Sequence, residues 1–323
     1  MPISHKILLL ILFLSVGCAD DEKDSSELDD NEKTETPSPG ALLTPIERDG
    51  AYVLEMSNDT DTVLFECIPE EGGLITKFML NGRQILSEID TENQHGSTFW
   101  PSPQTWSWPP SGSMPALATD DYNATVESDT IVLTSEIDEA TGLQFIKRFS
   151  ADLKNMAVNL SYTIVNTSDT DISVAPWEIT RVLPDGVTLF PSAETFENRN
   201  LDIVEEAGLI WFDQPAEGAV GDNKLFADGR DGWIAHATDE MVFVKTFDDE
   251  PASARAPDEG EIEIYAKGSV YQEIEQQGAY DTIPPEGEST WTLKWFLRPL
   301  PEDASPTVGD QPLVDFAAGL ADR

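Results

Sequence analysis

Two glutamates near the C-terminal end have the type and spacing that acid–base chemistry requires. Glu273 and Glu275 stand two residues apart in the segment from Ser269 to Tyr280, which begins as an alternating strand. Because side chains alternate along a strand, both carboxylates lie on the same face. Like charges placed side by side are unfavourable unless a ligand, a cation or a proton shares the site. The segment therefore predicts a functional site, with a solvated face of a surface strand as the alternative.

A second segment, residues 174–182, carries long polar side chains within an otherwise apolar strand. Its unusual members are Trp177, Glu178 and Arg181. A glutamate and an arginine in a buried setting usually form an ion pair with each other, which is the structural interpretation. The functional interpretation is a clamp for sugar hydroxyls, since carboxylate and guanidinium groups bond hydroxyls well. The residues leave both interpretations open.

The segment 94–110 is rich in proline and tryptophan, and its prolines predict a loop rather than a central strand. Tryptophan rings on a stiff loop can stack on the apolar faces of sugars, while neighbouring polar groups such as Gln104 bond hydroxyls. The alternative is that the rings close one end of the core. The tryptophans are Trp100, Trp106 and Trp108. His95 also lies here, as a structural residue or a proton donor.

The elements that must position these residues are β-strands. Alternating or short apolar runs recur between turn signals, and Asn81-Gly82 is a strong hairpin signal. Such a pattern predicts an all-β fold, an antiparallel sandwich or barrel formed by residues 46–300 as one domain. Residues 301–323 form a C-terminal tail with one short helix over Val314–Leu320. The strands predicted nearest to the candidate residues are Leu74–Leu80, Met156–Val165, Ile172–Val182, Glu261–Ala266 and Val270–Gln276.

The charge balance restricts the partners. The chain of 323 residues has 61 acidic and 19 basic side chains, a formal net charge of -42. Nucleic acids and anionic membrane surfaces would be repelled and are excluded as partners. The excess is spread along the chain and indicates a solubility adaptation, with divalent-cation binding as the alternative. No ligand spacing supports a metal site, and no cofactor is expected.

The N-terminus has the proportions of a signal peptide. Residues 1–17 contain a basic start and an apolar run too short to span a bilayer. The run ends at Leu14-Ser15-Val16-Gly17-Cys18, which resembles a bacterial lipoprotein box and predicts lipidation of Cys18. An ordinary secretory signal is the alternative. Residues 18–45 are acidic and poor in apolar side chains, and are expected to be a disordered tether. The expected location is the bacterial cell envelope, periplasmic or outer, with the lipid as the only membrane contact. Cys67, in an apolar run, is expected to be a buried thiol.

Three segments together resemble the galactose mutarotase-like (aldose 1-epimerase-like) superfamily. The hairpin over residues 65–86 looks like its first hairpin. Ile274-Glu275-Gln276-Gln277 looks like its "LExQ" segment, and residues 284–288 look like the turn before its last strand. The resemblance covers roughly residues 50–298 and implies a large antiparallel β-supersandwich. It also implies that Glu275 is the general base and that Gln277 binds substrate. His-Gly-Ser-Thr-Phe-Trp-Pro-Ser-Pro-Gln and Trp-Glu-Ile-Thr-Arg-Val are similar to an uncharacterised bacterial domain family within that superfamily.

The departures from the superfamily pattern concern the acid. The epimerases carry a histidine on the strand that here reads Val-Ala-Pro-Trp-Glu-Ile, and no histidine is present there. The acid would then be His95, His236 or a protonated Glu178. Three expectations follow: a carbohydrate-binding lipoprotein without epimerase activity, a sugar-active enzyme with Glu275 as base, or a module with a vestigial pocket. The expected ligand is a mono- or oligosaccharide, and the sequence does not predict an oligomeric state.

Overall fold

The computed structural model describes residues 45–88, 95–107, 114–214 and 223–323. Every strand pair in these residues is antiparallel, as the all-β prediction expects. No helix in the described residues is long and apolar enough to span a membrane. The strands are β1 Ile46–Arg48, β2 Ala51–Ser57, β3 Thr62–Ile68, β4 Leu74–Leu80, β5 Arg83–Gln84, β6 Ser97–Ser102, β7 Asn123–Glu127, β8 Thr130–Thr134, β9 Leu143–Asp152, β10 Ala157–Asn166, β11 Ile172–Val182, β12 Val187–Arg199, β13 Ile203–Glu206, β14 Leu209–Asp213, β15 Lys224–Gly229, β16 Trp233–Ala237, β17 Met241–Phe247, β18 Ile262–Lys267, β19 Tyr271–Gln277, β20 Asp281–Ile283 and β21 Glu288–Pro299. The helices are α1 Gln104–Ser107, α2 Pro115–Ala118 and α3 Gln311–Ala321.

Two layers account for most of these strands. The first sheet runs β1-β2-β3-β4-β6-β11-β19-β18-β15-β12, with β5 on β4. The second sheet runs β7-β8-β9-β10-β21-β17-β16-β12-β14-β13. Strand β12 belongs to both: Val187–Pro191 pairs in the second sheet and Ser192–Arg199 in the first. A register shift after Ser192 marks the change of sheet. Because a bulge bends a strand, β12 can pass from one layer to the other.

The main core lies between the inner faces of the two sheets. Strand β10 alternates as its sequence predicts, with Val158, Leu160, Tyr162 and Ile164 buried in this core. Aromatic rings fill the centre, and Trp295 lies 5.0 Å from Phe243 between ring centroids. Inward residues of a two-layer antiparallel fold alternate with outward ones, so each strand also places a row of side chains on an outer face.

A second core covers the outer face of the second sheet. The C-terminal helix α3 packs there with Leu313, Ala317 and Leu320 buried. Asp310 caps the helix, its carboxylate accepting a hydrogen bond of 2.9 Å from the backbone N–H of Leu313. The helix predicted over Val314–Leu320 thus extends over Gln311–Ala321 and packs on the domain.

One prediction about the backbone is wrong. The prolines of the segment 94–110 predict a loop, yet residues 97–102 form strand β6, which pairs with β11 inside the sheet. The register explains why these prolines are tolerated, because Pro101 lies directly opposite Pro176. The carbonyl of Pro176 accepts from the N–H of Gly278, so the polar groups of Pro176 point away from β6. The two prolines therefore form a pair that needs no hydrogen bond between them. Strand β4 reaches β6 only at the Ile75–Ser97 pair, so the missing N–H of Pro101 faces no paired strand there.

Candidate functional site

The candidate residues meet on the outer face of the first sheet. Glu275 of β19 lies opposite Ile179 of β11 on one side and Glu263 of β18 on the other. Glu273 lies opposite Arg181 in the same way. Directly opposed residues of antiparallel strands share a face, so all of these side chains project from one surface. The predicted shared face of Glu273 and Glu275 is confirmed, but both side chains are buried and do not form a solvated strand face.

Lys224 of β15 is the cation at the centre of this surface. Its ammonium lies 3.0 Å from each carboxylate oxygen of Glu275 and 2.7 Å from Oε2 of Glu263. It also lies 5.3 Å from the ring centroids of Trp177 and Phe226, within range of a cation–π interaction. Burial opposes the charge, but the two carboxylates outweigh it and raise the pKa of Lys224. The residue therefore stays positively charged.

Glu275 has protein partners on both of its oxygens. Besides the ammonium of Lys224, its Oε2 accepts a hydrogen bond of 2.8 Å from the indole N–H of Trp177. The side chain is fully buried. These contacts satisfy a carboxylate in a site from which water is excluded.

Gln277 connects Glu263 to strand β6. Its amide N–H donates to Oε1 of Glu263 at 2.9 Å, and its amide oxygen accepts from the hydroxyl of Ser102 at 2.5 Å. The backbone N–H of Gly260 donates to the same Oε1 at 2.9 Å. Burial raises the pKa of Glu263, while Lys224 opposes this rise. The predicted "LExQ" glutamine thus holds a neighbouring carboxylate in place.

Gln104 connects the start of helix α1 to the same surface. Its backbone N–H donates to Oε1 of Glu259 at 2.6 Å, and its side-chain amide donates to Oε2 at 3.0 Å. The amide also reaches Oε2 of Glu263 at 3.2 Å. Burial raises the pKa of Glu259. Gln104 therefore joins the segment after β6 to two carboxylates of the site.

Glu273 and Arg181 form the second ion pair of the surface. The guanidinium Nε of Arg181 lies 2.9 Å from Oε1 of Glu273, and Nη1 donates to the Thr98 hydroxyl at 3.3 Å. Burial raises the pKa of Glu273 to about 7. Arg181 opposes the shift, and the charge of Glu275 adds to it. The predicted ion pair of Arg181 with Glu178 is therefore wrong, because alternation along β11 puts these two side chains on opposite faces.

Glu178 faces the main core instead. Its carboxylate pairs with the ammonium of Lys245 at 2.7 Å and accepts from the hydroxyl of Tyr162 at 2.6 Å. The indole N–H of Trp295 donates to it at 3.3 Å. The sheet itself separates Glu178 from Glu275, so the structure does not bring these two predicted residues together.

The two histidines outside the predicted signal segment lie in different parts of the fold. His95 lies just before β6 and is not part of a strand. His236 belongs to β16 in the second sheet, where its Nδ1 lies 2.9 Å from the hydroxyl of Thr188. Burial lowers the pKa of His236 to about 4, so it is neutral at neutral pH. The role of His95 as an acid stays a prediction.

The structure describes the three predicted tryptophans to different extents. Trp100 lies on β6 directly opposite Trp177, and is half-buried on the surface that carries Glu275. The backbone of Trp106 lies in α1, and its side chain lies outside the described residues, as does all of Trp108. The described residues contain no group of three or more side chains suited to a metal ion.

Three residues of the site, Lys224, Glu259 and Glu263, have no strong signal in the sequence. Glu259 and Glu263 stand among other acidic residues, and Lys224 lies on strand β15, which the alternation of side chains does not predict. A signal was present, because Lys224 directly precedes the apolar run Leu225-Phe226-Ala227 in a chain with 61 acidic and only 19 basic side chains. Lysines are rarely buried unless they are paired.

Residues 98–297, which include both ion pairs of the surface, match the model of a domain of unknown function, DUF4380. The chain belongs to the DUF4380 family. A search of curated proteins finds no match. The family assignment agrees with the resemblance in the "HGSTFWPSPQ" and "WEITRV" segments, whose strands β6 and β11 lie side by side in the fold.

Solved structures show the same fold in other proteins. A galactose mutarotase related enzyme from Lactobacillus acidophilus is 11% identical, with a TM-score of 0.51, over 80% of this chain and 99% of that one. The Slr1438 protein of Synechocystis is 11% identical, with a TM-score of 0.54, over 79% and 97%. This DUF4380 protein therefore has the galactose mutarotase-like fold, as its sequence predicts. At such identities the likeness concerns the fold alone.

Proposed function

We propose that this protein binds a carbohydrate on the outer face of its first sheet and does not interconvert sugar anomers. The observation that carries the proposal is the state of Glu275, whose two oxygens are held by Lys224 and Trp177. A base in mutarotation must offer a lone pair to the anomeric hydroxyl proton. Here an ammonium contacts both oxygens, an indole N–H donates to Oε2, and the side chain is fully buried, so the carboxylate is not presented to a sugar hydroxyl.

The rim of the surface supplies groups suited to a sugar. Trp100 is half-buried and offers an indole for stacking, while Thr98 and Gln104 are partly exposed polar neighbours. Sugar sites commonly combine an aromatic platform with a few fixed polar groups. The buried ion pairs beneath would keep this platform rigid, because each is tied to two or more strands.

The superfamily supports the ligand class by analogy only. One solved structure with this fold is titled a galactose mutarotase related enzyme. In the present chain the epimerase histidine is missing from β11, and Trp177 and Glu178 stand in that part of the strand. A protein that only binds sugar needs this surface but needs no general acid, so the missing histidine agrees with a binding role.

Proton NMR of anomer exchange tests the activity half of the proposal. Freshly dissolved α-glucose and α-galactose should equilibrate at the uncatalysed rate in the presence of the protein. Isothermal titration with mono- and oligosaccharides tests binding. Trp100→Ala should lose the binding, whereas Trp233→Phe, in the second core, should retain it. Anomer exchange faster than the uncatalysed rate would refute the absence of epimerase activity. No binding of any sugar tested would refute the binding site.

One observation favours a sugar isomerase as a second candidate. Glu273 and Glu275 share a face, and Glu273 has a pKa raised to about 7 by burial. A carboxyl group that keeps its proton near neutral pH can act as an acid beside a second carboxyl group that acts as a base. In this case the NMR assay would show catalysed exchange, and Glu273→Gln and Glu275→Gln would each abolish it.

We also propose that the protein is a lipoprotein of the bacterial cell envelope, anchored through Cys18. Residues 1–44 lie outside the described residues, so the support is the lipoprotein-like box and the acidic segment after it. Expression in a bacterial host with labelled fatty acid should label the wild type and leave Cys18→Ser unlabelled. An unlabelled wild type that is secreted and cleaved would favour an ordinary signal peptide instead.

A further inference from the structure

The outer face of the second sheet contains a groove that the proposed carbohydrate site does not use. Its volume is about 590 Å³, within the range of ligand sites. The outward rows of β8, β9, β10, β21 and β17 form its floor. The C-terminal end of α3, at Ala321, and the turn at Asp231-Gly232 contribute to its walls.

Two polar rows cross the floor of this groove. In the first, Arg148, Ser161 and Thr292 lie side by side on β9, β10 and β21. In the second, the neighbours are Ser150, Asn159, Lys294 and Thr246. At about 4.8 Å between strands, the first row spans about 10 Å from Arg148 to Thr292. This length and the line of hydroxyls fit one or two sugar rings.

The two cations of the floor differ in how they are paired. Lys294 is bound to Asp152 at 2.9 Å, so its charge is compensated. Arg148 is half-buried and has no hydrogen-bond or ion-pair partner in the described part of the chain. Among 61 acidic and only 19 basic residues, a half-buried guanidinium without a carboxylate is unexpected. A guanidinium has a fixed fork of donors that matches a carboxylate.

We propose that this groove is a second binding site, and that it takes an acidic sugar unit whose carboxylate pairs with Arg148. Ser161 and Thr292 then bond ring hydroxyls in line with the guanidinium. Asp248, which follows Phe247 at the end of β17, lies on the far side and accepts from further hydroxyls. The bare polar face of an antiparallel sheet is the simpler interpretation. It does not account for an unpaired guanidinium recessed in a groove.

Calorimetry with galacturonic acid dimers and trimers tests the site in the whole protein. We expect binding by the acid and loss of binding by its methyl ester, which has the same rings but no charge. Arg148→Gln should weaken binding about tenfold or more, and Arg148→Lys should restore part of it, since a charge without the fork remains. The affinity should also fall as salt rises.

Matched controls separate this site from the one on the first sheet. Arg83→Gln removes an exposed arginine that pairs with Glu240 and should leave binding unchanged. Binding of the acid that survives Trp100→Ala is binding in the groove, so failure of the first proposal would not imply failure of this one. The proposal is overturned if the acid and its ester bind alike, if neither binds, or if Arg148→Gln binds as the wild type does.

Discussion

At the scale of single residues, Lys224 decides the charge state of the candidate site. The surface holds four buried carboxylates, on Glu259, Glu263, Glu273 and Glu275, and two cations, on Lys224 and Arg181. Burying an unpaired charge costs several kcal/mol, so the surface depends on these two cations and on shared protons. Lys224 contacts two of the carboxylates at once, whereas Arg181 pairs with Glu273. Loss of Lys224 should therefore destabilise the protein more than loss of Arg181.

Replacing Lys224 by methionine should therefore destabilise the protein. At pH 8 we expect a loss of about 3–5 kcal/mol in the free energy of unfolding, because Glu263 and Glu275 would lose the cation that they share. At pH 5 the loss should be smaller, since protonation can then relieve the carboxylates. Urea denaturation at the two pH values measures both quantities.

Lys77→Met is the control for this prediction. Lys77 also pairs with a glutamate, Glu66, but its side chain is 39% exposed. Exposed pairs contribute about 1 kcal/mol or less. Equal losses from Lys77→Met and Lys224→Met would contradict the role assigned to Lys224.

Glu273 should make the stability depend on pH in a defined direction. Its pKa in the folded protein, about 7, lies above the usual value of 4.5. Between these values the folded state holds a proton that the unfolded state has lost, so the free energy of unfolding falls as pH rises. This one group should account for a fall of about 2 kcal/mol between pH 5 and 7.

Glu273→Gln should make that fall shallower, because glutamine resembles the protonated acid and does not titrate. Buried neighbours such as Glu263 also have raised pKa values, so part of the fall should remain. The exposed Glu288→Gln is the control and should follow the wild-type curve. The stabilities come from urea denaturation in steps of half a pH unit. An unchanged slope in Glu273→Gln would show that Glu273 is ionised throughout.

At the scale of elements, alternation and turn chemistry made most of the strands near the site predictable. Residues 74–80 and 172–182 are strands with the predicted limits, and the Asn81-Gly82 turn follows β4. Both signals are local, so they can be read without knowing the partner strand. Strand β6 was missed for the opposite reason. The prolines at 101 and 176 are tolerated because they face each other, and register is not visible in a single segment.

The same contrast holds for the site. Glu275, Gln277, Trp177 and Arg181 lie on short segments that the sequence singles out, and they share one face. Two of their partners lie on segments that the sequence does not single out: Lys224 of β15 contacts Glu275, and Glu263 of β18 accepts from Gln277. Which carboxylate meets which cation depends on strand order and register, and these are fixed only by the packed fold.

Helix α3 provides a prediction at this scale. Asp310→Ala removes the side chain that accepts from the N–H of Leu313, and should destabilise the protein by about 1 kcal/mol. Asp315→Ala is the matched control, since Asp315 lies on the exposed face and bonds only Gln311 in the described residues. Thermal unfolding followed by circular dichroism measures the difference. If both variants unfold as the wild type does, α3 does not unfold cooperatively with the sheets.

At the scale of the whole molecule, one antiparallel sandwich presents two outer faces with different chemistry. The outer face of the first sheet is a buried layer of ion pairs beneath a half-buried Trp100. The outer face of the second sheet is divided between the apolar cover of α3 and the polar groove around Arg148. In a protein with a net charge of -42, an anion is expected only beside a cation that no carboxylate of the protein pairs with. Arg148 is such a cation in the described residues, whereas the carboxylates of the first face favour neutral ligands.

The same net charge predicts a strong effect of salt on stability. Self-repulsion among 61 acidic residues destabilises the compact state, and salt screens it, with a Debye length of about 10 Å at 0.1 M and about 3 Å at 1 M. The urea midpoint should therefore rise with sodium chloride, mostly below about 0.3 M, where the screening length changes most. Urea is required because guanidinium chloride is itself a salt. At about pH 4, where many carboxylates are protonated, the rise should shrink. A midpoint that does not respond to salt at pH 8 would mean that the acidic residues are as crowded in the unfolded chain as in the folded one.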